Sequence, residues 1–262
     1  MKRLTSNAWP MAGMSLLLCL FLGATHAPHS PHAASDLEGA WKMVLNRNQS
    51  MDDLGLEMVK VLVDGHFIFA FFNSETQQFY STGGGEYTYE NGVYTEIIRF
   101  HTIDPTLVGR SLPFDAKIEG NRWYHGGELD GTEMNEVYEK INGVSALDLM
   151  GAWEMSASGS SDSDMDAVKK KQAQTWKLVI GDRYAWATFS PKKGTLLDCG
   201  GGNISMQDNW CREKVDYRMT DSLMVGKTLA YQGEPENGEW KVKMPVTRGT
   251  DAGQMVVWSR MK

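Results

Sequence analysis

Tyr94-Thr95-Glu96 sets a phenol and a carboxylate two residues apart, and Trp123-Tyr124-His125 does the same for an indole and an imidazole. Residues two apart on a strand share a face, so each triplet can aim a ring and a polar group into one space. Tyr87 and Tyr89 repeat the spacing just upstream. Such a set supports two chemistries. The rings, with a few convergent polar tips, can hold a small apolar or amphipathic molecule. Glu96 can also serve as a general acid or base beside Tyr94 or His125, as an isomerase or hydrolase would use it. No nucleophile or metal constellation accompanies Glu96, so binding is favoured over catalysis and no catalytic residue is assigned; the alternative ahead of an enzyme is a structural or interaction protein with both interiors packed shut.

The other chemistry-bearing motifs are weaker. His26, His29 and His32 have the spacing of a metal tract but fall beside a leader. Asp162, Asp164 and Asp166 match the start of a calcium loop, yet Ala167 and Ala173 stand where its glycine and terminal glutamate belong, and Lys169, Lys170 and Lys171 would repel the ion. Gly83-Gly84-Gly85 opens a strand and no helix follows, so it reads as a bulge or close strand crossing and not as a phosphate loop. No metal and no cofactor are expected.

Turn residues set the elements that must position these groups. Asn91-Gly92 is a two-residue hairpin signal, and Asp64-Gly65 and Gly120-Asn121 are similar. Strands are expected near 40–46, 57–63, 66–73, 85–90, 93–101, 112–119, 122–128 and 134–141. With Asn91-Gly92 as the turn, Glu90 pairs with Val93, Tyr89 with Tyr94 and Tyr87 with Glu96. Alternation then sends Tyr87, Tyr89, Tyr94, Glu96, Ile98 and Phe100 inward, and Thr88, Glu90, Thr95, Arg99 and His101 outward. About Gly120-Asn121, Ile118 pairs with Trp123 and Ala116 with His125, which turns Trp123 and His125 inward. An unpartnered carboxylate there would be costly; a structural network of Glu96, the Tyr87 hydroxyl and water is the competing reading of its presence.

The pattern occurs twice. Leu37-Glu38-Gly39-Ala40-Trp41 returns as Leu149-Met150-Gly151-Ala152-Trp153, and Gly83-Gly84-Gly85, Glu96, Gly109 and Trp123 return as Gly200-Gly201-Gly202, Glu213, Gly226 and Trp240. The domains implied are 36–143 and 146–262, after a leader over 1–34. Eight strands joined mostly by tight turns favour a closed meander. The fold class is therefore all-β, two tandem antiparallel up-and-down barrels of about eight strands each.

A Gly-x-Trp on the first strand of such a meander resembles the lipocalin and fatty-acid-binding-protein group. Gly-Gly-Gly-x-Tyr, then Tyr94-Thr95-Glu96, a Trp and a final Glu-x-Tyr-x-Lys are similar to lipocalin-like secreted proteins of Bacteroidetes. The resemblance implies the barrel fold and export. The second copy departs from it, with Cys211-Arg212-Glu213 in place of Tyr-x-Glu. The binding site is accordingly expected in the first lumen, at Tyr87, Tyr89, Tyr94, Glu96, Trp123 and His125. Glu213 and Trp240 are its equivalents in a second lumen that mainly packs. In fatty-acid-binding proteins a helical lid follows the first strand, so the longer connection over Ser156–Gln174 is expected to form a flap with a short helix near Asp166–Ala173.

Lys2 and Arg3 precede an apolar run over Met11–Ala24, which reads as a secretory signal and predicts an exported protein, periplasmic or secreted. Its removal takes the net charge from −7 to −9, a poor match to a nucleic-acid partner, and leaves no other segment apolar enough for a transmembrane helix. Export and the pair Cys199 and Cys211 suggest a disulfide, but the hairpin register opposes it. Cys211 pairs with Met206, and Cys199 lies about 23 Å further back along the partner strand, where a disulfide needs Cα atoms within about 7 Å. Two free thiols are expected, Cys211 inside the second barrel and Cys199 near its rim.

Overall fold

Asn91 and Gly92 take φ of 52° and 80°, the positive values a two-residue hairpin turn demands. Asp64-Gly65 repeats this with 49° and 70°. These turns fix the register of the strands they join. In the computed structural model, which describes residues 36–143, 147–159, 165–167, 172–244 and 254–261, Glu90 pairs with Val93, Tyr89 with Tyr94 and Tyr87 with Glu96. Ile118 pairs with Trp123 and Ala116 with His125, and Met206 with Cys211.

The first sheet contains β1 (Gly39–Asn46), β2 (Gln49–Ser50), β3 (Glu57–Val63), β4 (His66–Asn73), β5 (Gln78–Glu90), β6 (Val93–His101), β7 (Ser111–Glu119), β8 (Arg122–Leu129) and β9 (Thr132–Lys140). Each pairs antiparallel with its neighbour, β2 is a short addition to β1, and β9 returns to β1 with Trp41 opposite Lys140, closing an eight-stranded barrel.

The second sheet contains β10 (Gly151–Gly159), β11 (Met165–Ala167), β12 (Gln174–Ile180), β13 (Arg183–Phe189), β14 (Leu196–Gln207), β15 (Trp210–Arg218), β16 (Thr228–Gln232), β17 (Pro235–Glu236), β18 (Glu239–Lys243) and β19 (Met255–Arg260). It curls in the same order, with β19 paired to β10. Its two ends, β16 and β17, are joined through Gly233-Glu234 and match the two halves of β7, whose first half pairs with β6 and second half with β8. The chain is thus all-β with two tandem barrels. Trp41 and Trp153 lie at matching core positions, fully buried, each indole donating to the carbonyl four residues back, Leu37 and Leu149.

The glycine triplets are where simple alternation fails. The ladder shifts between Gly84 and Gly85, and again between Gly201 and Gly202. A Cβ on Gly85 would overlap the Ile97 carbonyl oxygen, and one on Gly202 the Lys214 carbonyl oxygen. A bulge adds one residue and flips the faces beyond it. Phe100, expected inside, and Tyr217, which plain alternation from Glu213 would also send inside, therefore turn outward between the barrels, while Arg218 turns toward the lumen. Gly85→Ala should cost about 1–3 kcal/mol through this overlap, read as a lower urea midpoint; an unchanged midpoint would show that the strands do not need the close approach.

Flipped Phe100 belongs to a shared core. Val61, Val63 and Ile68 of the first barrel meet Trp176, Leu178 and Phe189 of the second. Phe100 and Phe189 lie 4.8 Å apart, and Phe72 stacks on Tyr217 at 4.9 Å. The Asp64 carboxylate accepts the Ala152 backbone N–H at 2.9 Å. Strands β3 and β4 are thereby covered on both faces, which explains their near-continuous apolar runs, unusual for antiparallel strands with a wet side.

Two further expectations change. Where the connection after β10 is described, Met165–Ala167 is a strand paired with Ala157–Gly159 and not part of a helix; Asp162, Asp164 and Lys169–Lys171 lie outside the described residues, as do the leader and its histidines. Cys199 and Cys211 are free thiols, but Cys199 sits in the core between the barrels and not at a rim. Burial raises both, Cys211 to about 12. Thiol counting should find Cys199 and Cys211 unreactive in the native protein and both reactive once it is denatured without reductant; a mass lower by two hydrogens would contradict this.

Candidate functional site

Lys60 sits in the middle of β3 between Val59 and Val61, and Glu96 sits on β6. Their side chains meet inside the first barrel at 2.7 Å, almost fully buried. The Lys60 ammonium lies 5.3 Å from the ring centres of both Tyr94 and Trp123, and 5.5 Å from that of Phe67, a favourable setting for a desolvated cation. The partner of Glu96 is thus Lys60. Tyr87 is opposite it in register.

His125 is engaged elsewhere. Its Nδ1 lies 2.8 Å from Glu136 Oε2, and the Tyr138 hydroxyl donates to the same oxygen at 2.6 Å. Burial would raise the Glu136 carboxyl, but the bond from His125, the charges of His125 and Lys60 and the bond from Tyr138 hold it below the ordinary range. Burial, and then the Glu96 carboxylate, hold the Tyr94 phenol well above its ordinary value, so it stays protonated.

Tyr87, Tyr89, Tyr94, Glu96, Trp123 and His125 are all buried in one interior, and so are Glu213 and Trp240 in the other. The first interior is filled. Trp123 stacks on Tyr138 at 4.7 Å and meets Tyr94 at 5.1 Å and Trp41 at 5.7 Å edge-on. Met58, Phe69 and Phe71 pack over this cluster.

The second interior repeats the ion pair. Lys177 Nζ lies 2.5 Å from Glu213, and the Tyr231 hydroxyl donates to the same carboxylate oxygen. Trp258 and Trp240 flank the ammonium at 5.1 and 5.3 Å. Burial, then the Glu213 charge, raise Tyr184 and Tyr231 well above the ordinary phenol range, so both remain donors.

Here, however, the barrel is hollow. A cavity of about 240 Å³ is lined by Lys177, Glu213 and Tyr184, by the rings of Trp186 and Trp258, and by apolar groups including Met155 and Leu229. Thr175, Thr188, Gln254 and Arg218 complete its polar side. The cause is visible in matched ladder positions. Met58 pairs with Phe71 in the first barrel; Thr175 pairs with Thr188 in the second. Two large side chains that fill the first lumen are replaced by two small hydroxyls, which bond each other at 2.9 Å. Likewise His101, opposite Gly83, becomes Arg218, opposite Gly200. Arg218 lies over Trp186 at 4.8 Å and donates to Asp198 at 2.8 Å.

Residues 36–145 match the family described as a domain of unknown function (DUF4488). That stretch contains the whole first barrel ladder. No curated protein matches the chain. Among the described residues, no helix is long and apolar enough to cross a membrane, and no three His, Cys, Asp or Glu side chains are gathered as metal ligands.

Reading the sequence missed Lys60, Lys177, Glu136 and Arg218. The lysines carried a signal: they stand at the same spacing as Glu96 and Glu213, each between apolar neighbours, Val59 and Val61 or Trp176 and Leu178. Arg218 was hidden by the bulge that reverses its face.

Proposed function

We propose that this protein is an exported binding protein of the lipocalin-like type, which holds a small apolar or amphipathic molecule, and that the second barrel holds it. The carrying observation is the cavity between Lys177–Glu213 and Arg218, at the level where the first barrel is plugged by Met58 and Phe71. Apolar walls with a few fixed polar groups suit such a ligand. The first barrel then serves as a packed partner, fixed to the second through their shared core. Export is supported by Lys2, Arg3 and the apolar run that follows. A catalytic role for Glu96 is disfavoured by its pairing with Lys60 in a filled interior.

Native mass spectrometry of protein purified from its own source tests this reading. A retained small molecule is expected in the wild type and absent in Thr188→Phe, which gives the second barrel the first barrel's plug. Retention unaffected by Thr188→Phe, or lost on Phe71→Ala instead, would return the site to the first barrel.

A further inference from the structure

We propose that the molecule held in the second barrel is uncharged, with an apolar body and a hydrogen-bond-accepting oxygen, such as a ketone, ester or lactone, and that the cavity discriminates against carboxylates and amines. This rests on the reading of that cavity as the binding site.

The charges around the cavity are balanced. Four ionic groups stand in or beside the cavity, and they are paired: Lys177 with Glu213, and Arg218 with Asp198. A charged ligand would bring a further charge with no counter-ion into a space walled by Trp186, Trp258 and Met155, and an unpaired buried charge is expensive. An inward arginine alone would suggest a carboxylate. The Asp198 carboxylate, 2.8 Å from the Arg218 guanidinium, cancels that attraction.

The hydrogen-bonding groups point to the rest of the ligand. Lys177 and Tyr231 both donate to Glu213 Oε1, and the Thr175 and Thr188 hydroxyls bond each other. Donors remain. Lys177 carries three N–H donors and Arg218 five, and their bonds to Glu213, Tyr231 and Asp198 use three of these. A ligand that offers an oxygen acceptor therefore matches the site better than one that offers only donors. The volume of about 240 Å³ equals roughly eight waters of liquid at about 30 Å³ each, which limits the ligand to a small one.

Calorimetric titration of the full chain with 2-octanone, octanoate and octylamine at neutral pH tests this. The ketone should bind at least tenfold more tightly than either ion, and its heat should vanish in Thr188→Phe. Asp198→Asn keeps an oxygen for the Cys199 N–H that Asp198 now accepts but releases the Arg218 charge. In that variant octanoate should gain at least tenfold over the ketone. Octanoate or octylamine binding the wild type as tightly as the ketone, in a Thr188→Phe-sensitive way, would overturn the uncharged class and leave the cavity a binding site. So would an unchanged preference in Asp198→Asn. No binding by any probe, or binding indifferent to Thr188→Phe, would overturn both readings.

Discussion

Lys60→Met is expected to destabilise the protein by about 3–5 kcal/mol, because it strands Glu96 as a buried, unpaired carboxylate. The Lys60 and Glu96 side chains are 4% and 8% exposed and 2.7 Å apart, so water cannot replace the lost partner. The Tyr94 phenol beside Glu96 is a neutral donor and does not supply a counter-charge. The double change Lys60→Met with Glu96→Leu should recover most of the loss, since apolar groups of similar size often replace a buried pair at little cost. Urea unfolding of the wild type, both single variants and the double variant gives the coupling. If the double variant is as unstable as the sum of the two singles, the pair is not acting as a unit.

Trp123→Ala should cost a similar amount, about 3–5 kcal/mol, for deletion of a large buried ring. Trp123 is fully buried and its ring meets Trp41, Tyr94, His125 and Tyr138, so no neighbour can collapse into the space without leaving its own contacts. The informative half of this prediction is the ligand. Binding in the second barrel should survive Trp123→Ala at temperatures well below melting, because Trp123 touches the filled lumen and not the hollow one. Loss of ligand from a folded Trp123→Ala variant would mean that the first lumen does the binding.

Much of the architecture was legible in the sequence, because two-residue turns fix strand register. Asn91-Gly92 and Gly120-Asn121 placed Tyr87 opposite Glu96 and Ala116 opposite His125, as the ladders have them. The repeat supplied the second barrel. Three physical effects lay beyond that reasoning. The bulges at Gly84-Gly85 and Gly201-Gly202 reverse the alternation, so alternation alone puts Phe100 and Arg218 on the wrong faces. The two barrels bury their outer faces against each other, so Cys199 is core and not rim. Finally, the size of a lumen depends on a few large residues at its mouth. The aromatic, polar composition of the first copy looked like a pocket, yet Met58 and Phe71 fill it, while Thr175 and Thr188 leave the plainer second copy open.

A crystal structure under xenon pressure tests whether the second barrel is hollow and the first filled, since xenon enters apolar voids without needing a specific partner. Xenon density is expected among Met155, Leu229 and Trp258, with none beside Tyr94 and Trp123. Density within the first lumen, or an empty second one, would contradict the account.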